Sequence, residues 1–216
     1  MTTPRRAAVS GADRAQATRA VLVGSAIATL AQVGFGRATA REIAGRAGCN
    51  QALIFYHFGS VPGLLLAALD QVSDQRLADY GELIEGAQTL TQLVDAAREV
   101  FTQDLAAGHV SVLVEMVAGA HSTPGLGEQV LQRLVPWRRL AEDAVRKALA
   151  RSPLAMMLPA EELAHAVVGS LLGMEMLASL DDDRSAVAGL LDRARLLAQL
   201  LDLAPQPATL DDERFR

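Results

Sequence analysis

The sequence predicts an all-α protein: an N-terminal three-helix head built around a helix-turn-helix, then a C-terminal helical bundle. Three observations carry this. Apolar residues recur at helical spacing through most of the chain. Start and stop signals, a capping Thr, Ser or Asn before a run and a Gly after it, cut the chain into helix-sized pieces. Half of the 216 residues are apolar while only 4% are aromatic, so the β-branched and aromatic runs that strands prefer are scarce.

Residues 1–11 are polar, carry Arg5 and Arg6, and read as a flexible arm. The head spans 12–60. Its first helix runs to Val33, with Val21, Leu22, Ile27, Ala28, Leu30 and Ala31 as the inward positions and Gly34 as the stop. Thr39 and Glu42 then form a capping box: the hydroxyl takes the amide of residue 42, and the carboxylate reaches back to the amide of residue 39. Ile43, Ala44 and Ala47 give this short helix an apolar face, and Gly48 ends it in the left-handed conformation. Asn50 opens a further helix almost at once, with Leu53, Ile54 and Phe58 inward and Gly59 as the stop. Two short helices joined by a three-residue turn centred on Gly make a helix-turn-helix.

Ser60 caps a connecting helix over 61–80, with Pro62 in its first turn and Leu64, Leu65, Ala68, Leu69 and Val72 as its buried stripe. A break at 81–88 separates the head from a bundle over 81–204. There, Thr89 with Gln92 opens a helix that Gly108 closes, and a short apolar helix follows over 109–120. Ser122-Thr123-Pro124 starts a longer helix to about Arg151, with Pro136 inside it. After a loop at 152–159 come helices over 160–180 and 183–203, with Asp181, Asp182 and Asp183 suited to the N-terminus of the last. Residues 205–216 are a tail.

Charge divides the chain at the same place. Residues 1–60 carry seven arginines against Asp13 and Glu42, a balance of +5; the remainder holds thirteen cations against twenty-three acids, a balance of −10. A basic head on an acidic body suits a polyanion at one end only. One cysteine, Cys49, excludes a disulfide framework and gives no metal-ligand spacing. No apolar run is long enough to span a bilayer, and the first ten residues lack a signal-peptide core, so a cytoplasmic location without membrane attachment is expected.

Gly34-Phe35, Thr39, Ile43-Ala44, Ala47-Gly48 and Phe55-Tyr56-His57-Phe58 resemble the N-terminal domain of TetR-type transcriptional regulators, over roughly residues 14–75. Three positions depart from that family: Phe55 stands where Tyr is frequent, Cys49 where Val is, and Val61 where a phosphate-contacting cation is usual. The resemblance implies that the second motif helix enters the major groove of double-stranded DNA, presenting Asn50, Gln51, Ala52, Phe55, Tyr56 and His57. Gln51 would pair with adenine, and Ala52 would allow close approach or touch a thymine methyl. Thr39, Tyr56 and His57 match phosphate-contacting positions, and Arg41 one that reaches a base in some relatives. The expected function is a repressor released from a palindromic operator by a small-molecule effector. The alternative, motivated by Val61, is a ligand-binding or adaptor protein of the same fold with weakened DNA binding.

In the bundle, Phe101, Met116, Trp137, Met174 and Met176 are candidate lining for a largely apolar effector, with Glu115, His121 or Glu175 as polar anchor. Gly169 and Gly173 lie one turn apart, with Leu177 extending the row, and Leu190, Ala194, Leu197 and Leu201 make a wide stripe. The family resemblance assigns these two helices to a four-helix homodimer interface, which doubles the contacts on a palindromic site. Glu162 and His165 have the spacing of a di-iron carboxylate motif, but the bundle lacks a second copy. No nucleophile signature occurs, so no enzyme, cofactor or metal is expected.

Overall fold

The computed structural model describes residues 11–107, 109–150, 159–178 and 185–203. They form nine α-helices and one 3-10 turn, and no strand occurs among them: α1 (Gly11–Val33), the turn Phe35–Arg37, α2 (Ala40–Ala47), α3 (Ala52–Phe58), α4 (Val61–Gly86), α5 (Leu90–Ala107), α6 (His109–Ala120), α7 (Leu126–Leu149), α8 (Ala160–Ala178) and α9 (Ser185–Asp202). The expected arm at 1–10, the stop at Gly108, the loop at 152–158, the aspartates at 181–183 and the tail from 205 lie outside the described residues.

The chain condenses into two compact units. The first comprises Met1–Ser73 and Ser111–Leu131, the second Asp74–Val110 and Gln132–Arg216. This division differs from the contiguous one expected from sequence, because most of α6 groups with the N-terminal helices.

In the first unit α1 packs against α2. Leu22, Ala26, Thr29 and Leu30 on α1, Ile43 and Ala44 on α2, Ile54 on α3 and Leu64, Leu65 and Ala68 on α4 are all buried. Each Leu or Ile among them contributes roughly 1.5–3 kcal/mol by leaving water, so the two short helices α2 and α3 are held by packing rather than by length. Two inward assignments on α1 need correction: Val21 and Ala31 are exposed. The inward positions are instead Leu22, Val23, Ala26, Thr29 and Leu30, a 3–4 spacing on which Val21 and Ala31 fall just outside the stripe. Thr29 is tolerated there because its hydroxyl donates to the Ser25 carbonyl at 2.7 Å.

In the second unit α5 packs against α8 and α9. One core joins Leu90, Val145, Ala148, Leu149, Ala164 and Ala198, and another joins Phe101, Ala178 and Leu191. Asp202, at the end of α9, closes the start of α5: its carboxylate accepts from the amides of Leu90 and Thr91 at 3.0 and 2.9 Å and from the Thr91 hydroxyl at 2.6 Å. An anion over free amides at a helix N-terminus is favourable on both hydrogen-bonding and dipole grounds. Burial alone would push the Asp202 carboxyl up; the hydrogen bonds from Thr91 and Leu90 outweigh it and hold the group below its ordinary range.

Three boundaries differ from expectation. α4 does not end at Gly81 but runs to Gly86. A mid-helix glycine costs about 1 kcal/mol relative to Ala, a cost small enough for the helix to continue past the buried Tyr80. α7 begins at Leu126, not Pro124, because Gly125 has φ 76° and cannot be a helical residue. The 3-10 turn at 35–37 was not expected at all.

Candidate nucleic-acid interface

The segment 39–59 is fixed by local hydrogen bonds. The Thr39 hydroxyl accepts from the Glu42 amide at 3.2 Å and so caps α2. The reciprocal half of the capping box does not form: the Thr39 amide donates to the Arg37 carbonyl at 2.8 Å, a bond that the preceding 3-10 turn supplies. At the other end Gly48 sits at φ 64°, ψ 30°, and the Cys49 amide returns to the Ala44 carbonyl at 3.1 Å. This left-handed stop turns the chain within three residues. The Asn50 side chain then accepts from the Ala52 amide at 2.8 Å. Its oxygen is thereby spent inside the protein, and α3 begins at Ala52 rather than at Asn50. Gly59 ends α3 at φ 75°, and the Ser60 hydroxyl accepts from the Gly63 amide at 3.0 Å to start α4 with Val61 and Pro62 in its first turn.

Those devices leave one face of α3 bare. Ile54 is fully buried, whereas Gln51 and Ala52 are exposed, Phe55 is 51% exposed and Tyr56 80% exposed. Thr39, Arg41 and Asn50 are exposed as well. His57 is half-buried, its ring edge-on to Tyr56 at 4.9 Å between centroids and to Phe58 at 6.3 Å. Two large aromatic side chains held largely in water side by side, Phe55 and Tyr56, form an exposed patch of the kind that marks an interaction surface.

A residue the sequence reading passed over braces this face. Arg19, on α1, donates to the His57 carbonyl at 3.2 Å and lies 4.4 Å above the Phe58 ring. That ties α1 to the end of α3 by a capping bond and a cation–π contact. Arg46 similarly donates to the Gln32 side chain at 2.8 Å. Part of the positive charge of the head therefore also serves to hold its helices together.

A second unforeseen contact reaches the head from α6. The Phe35 amide donates to the Glu115 carboxylate at 2.7 Å, and the Phe35 ring lies against the bare backbone of Gly119, one turn further along α6. Glu115, expected as an effector anchor, is thus spent on the turn that precedes α2. Met116 beside it is fully buried, while His121 is exposed with Nδ1 3.1 Å from the Val117 carbonyl. The other candidate lining residues, Phe101, Trp137 and Met174, belong to the second unit. Phe101 is buried there, and Trp137 lies 4.9 Å from the Arg76 guanidinium.

On α8 and α9 the residues assigned to a subunit interface fall partly in the open. Gly169, Leu177, Leu190 and Leu197 are exposed, and Gly173, Ala194 and Leu201 half-buried. Leu196, Leu200 and Leu203 add to the exposed apolar surface. Glu162 and His165 are both exposed, and among the described residues no three His, Cys, Asp or Glu side chains lie together as a metal site would need. No single described helix is long and apolar enough to cross a membrane.

A capped helix, a left-handed glycine and a second helix with an open polar and aromatic face, carried on a basic three-helix head, define a helix-turn-helix domain. The model of bacterial regulatory proteins of the tetR family matches residues 22–68, which contain the whole motif. Residues 22–68 therefore carry the N-terminal domain of that family, and the curated relatives that the chain resembles are transcriptional regulators. The HTH-type transcriptional regulator CymR of Pseudomonas putida is 25% identical over 136 residues, 61% of this chain and 65% of CymR, so the match spans just under two thirds of that relative. Among solved structures, a TetR-family regulator from Rhodococcus sp. is similar with a TM-score of 0.70 at 21% identity, covering 84% of this chain and 98% of that one. FadR of Bacillus subtilis, solved in complex with stearoyl-CoA, also reaches 0.70, at 13% identity over 83% of this chain and 96% of its own. At these identities the two structures speak for the fold.

Proposed function

We propose that the chain is a cytoplasmic, homodimeric repressor whose two heads bind a palindromic operator and release it when a small, largely apolar effector binds the bundle. The observation that carries this reading is the open face of α3: Gln51, Ala52, Phe55 and Tyr56 are exposed on a helix whose other side buries Ile54 and half-buries Leu53 and Phe58. A helix of that width fits the major groove, where Gln51 reads adenine and Ala52 allows close approach. Thr39, Tyr56 and His57 contact phosphate and set register, and Arg41 reaches a base edge. Asn50, with its oxygen committed to the cap, contributes through its amide hydrogens.

One motif makes too few contacts for specific binding, and a two-fold pair on a palindrome doubles them. The exposed apolar rows of α8 and α9, from Gly169 to Leu177 and from Leu190 to Leu201, support pairing through a four-helix interface. Effector release follows from differential affinity: a ligand that binds the bundle in a geometry where the heads no longer match both half-sites lowers DNA affinity by linkage. The stearoyl-CoA complex of FadR supports an apolar effector. Val61, where a cation is usual, leaves one phosphate contact fewer per subunit. Selection of bound duplexes from a random pool tests the reading: enrichment of an inverted repeat is expected, and recovery of no repeated sequence at low ionic strength overturns it.

A further inference from the structure

The second unit holds a polar cluster that the helix-turn-helix does not use. Arg76 and Tyr80 come from α4, one turn apart, Asp104 from α5, Glu175 from α8 and Trp137 from α7. Arg76 donates to Asp104 Oδ2, the Tyr80 hydroxyl donates to Asp104 Oδ1 at 3.3 Å, and Arg76 Nη2 lies 3.9 Å from Glu175 Oε1. Trp137 stacks against the guanidinium. Asp104 is 0% and Glu175 1% exposed, and Arg76 and Tyr80 are also buried. Two atoms nevertheless find no hydrogen-bond partner among the described residues: Arg76 Nε and Glu175 Oε2.

Native proteins satisfy nearly all their buried polar atoms, so an orphaned pair needs a cause. Here one orphan is a donor and the other an acceptor, on side chains that already approach each other. We propose that Arg76, Asp104 and Glu175 form the polar end of a binding site for a neutral small molecule that presents a hydroxyl or a carboxamide on an apolar frame. Such a group accepts from Arg76 Nε and donates to Glu175 Oε2 at once, which neither an ammonium nor a carboxylate can do.

The charge balance points the same way. One guanidinium faces two carboxyl groups. Burial, chiefly, pushes the Glu175 carboxyl up to about 8 against the pull of Arg76, and a hydrogen bond to Asp104 adds to the rise. At pH 7 Glu175 therefore keeps its proton, donates it to Asp104 and leaves one oxygen as an acceptor, and the cluster is neutral as a whole. A cationic ligand would meet Arg76, and an anionic one Asp104, with no countercharge left to offset its desolvation. The frame has apolar company: Phe101 and Leu105 flank Asp104 on α5, Leu171 and Met174 flank Glu175 on α8, and these four belong to one hydrophobic cluster. This assignment rests on the reading of the chain as an effector-responsive regulator and adds the class of effector.

A matched set of probes tests it by calorimetry on the full chain: octan-1-ol, octanamide, octanoate and octylammonium. The two neutral probes are expected to bind at least tenfold more tightly than either charged one. Glu175→Gln keeps a carbonyl at the orphan position and should bind them within threefold of wild type; Glu175→Leu should lose that preference, with helical content by circular dichroism confirming its fold. Should the leucine variant not fold, the ranking in wild type decides alone. Equal or tighter binding of a charged probe, no binding of either neutral probe, or an unchanged preference in Glu175→Leu overturns the proposal. Duplex binding by the same preparations reads the regulator assignment separately, so loss of probe binding with duplex binding intact removes only the effector class.

Discussion

The Phe35 amide and the Glu115 carboxylate are 80 residues apart in sequence and 2.7 Å apart in space, and their bond secures the turn that leads into α2. Gly34 before it has φ 78°, a conformation that favours glycine, and a Cβ there would stand 2.8 Å from Glu115 Oε2 and push that carboxylate aside. Removing the carboxylate orphans a partly buried amide, at a cost of about 1–3 kcal/mol. Glu115→Ala is expected to lower the unfolding free energy by that amount in a urea titration and to speed hydrogen exchange at Phe35. Glu115→Gln, which keeps an acceptor, should lose less than half as much.

Gly119 and Gly127 respond oppositely to the same substitution. A Cβ on Gly119 would lie 2.4 Å from the Phe35 ring, whereas one on Gly127 would meet only the Ala120 methyl at 3.7 Å, an ordinary contact. Gly119→Ala must displace the ring and should destabilise by about 1–3 kcal/mol. Gly127→Ala, inside α7, should stabilise by up to about 1 kcal/mol. Thermal unfolding of the two variants side by side checks the contrast; a stabilised Gly119→Ala would mean that the ring does not rest there.

What could be read from the sequence follows the range of each interaction. The caps at Thr39, Ser60 and Thr89 and the stops at Gly48 and Gly59 act between residues two to four apart, and the structure has them all. Contacts such as Phe35 with Glu115, or Leu90 with Asp202 across 112 residues, leave no local pattern. Gly81 misled for another reason: its local cost is real, but too small to end α4 there. At the interface, the exposed positions of α3 were legible from helical periodicity, whereas the brace from Arg19 on α1 was not, since nothing in a single arginine tells bracing from phosphate contact. Nothing local in Glu115 distinguishes an effector anchor from an acceptor for a distant backbone amide, and the structure pairs it with Phe35.

The Glu175 carboxyl, pushed up to about 8 mainly by burial, makes stability depend on pH. The folded chain binds a proton there that the unfolded chain, titrating near 4.5, has released, so the contribution is full below about 4.5 and is lost as pH rises through about 8. Between pH 6 and 8 the unfolding free energy should fall by up to about 1.4 kcal/mol per pH unit, and Glu175→Gln should flatten that slope. A titration with the same slope in both proteins would place the proton elsewhere.

Asp202 works with the opposite sign. Its carboxyl is held below the ordinary range, so its support of α5 is present above the unfolded value, 3.8, and is lost as pH falls through the depressed folded value. Asp202→Ala removes three acceptor contacts and should cost about 1–2 kcal/mol at pH 7. The loss should shrink as pH falls below 3.8, measured by chemical unfolding at each pH.

The central claim, that the open face of α3 reads base edges, is tested most directly by the affinity of Gln51→Ala for a selected operator duplex and for its scrambled counterpart at one salt concentration. A loss of about 1–3 kcal/mol on the operator with little change on the scrambled duplex is the predicted result. Equal losses on both duplexes, or none on either, would contradict it.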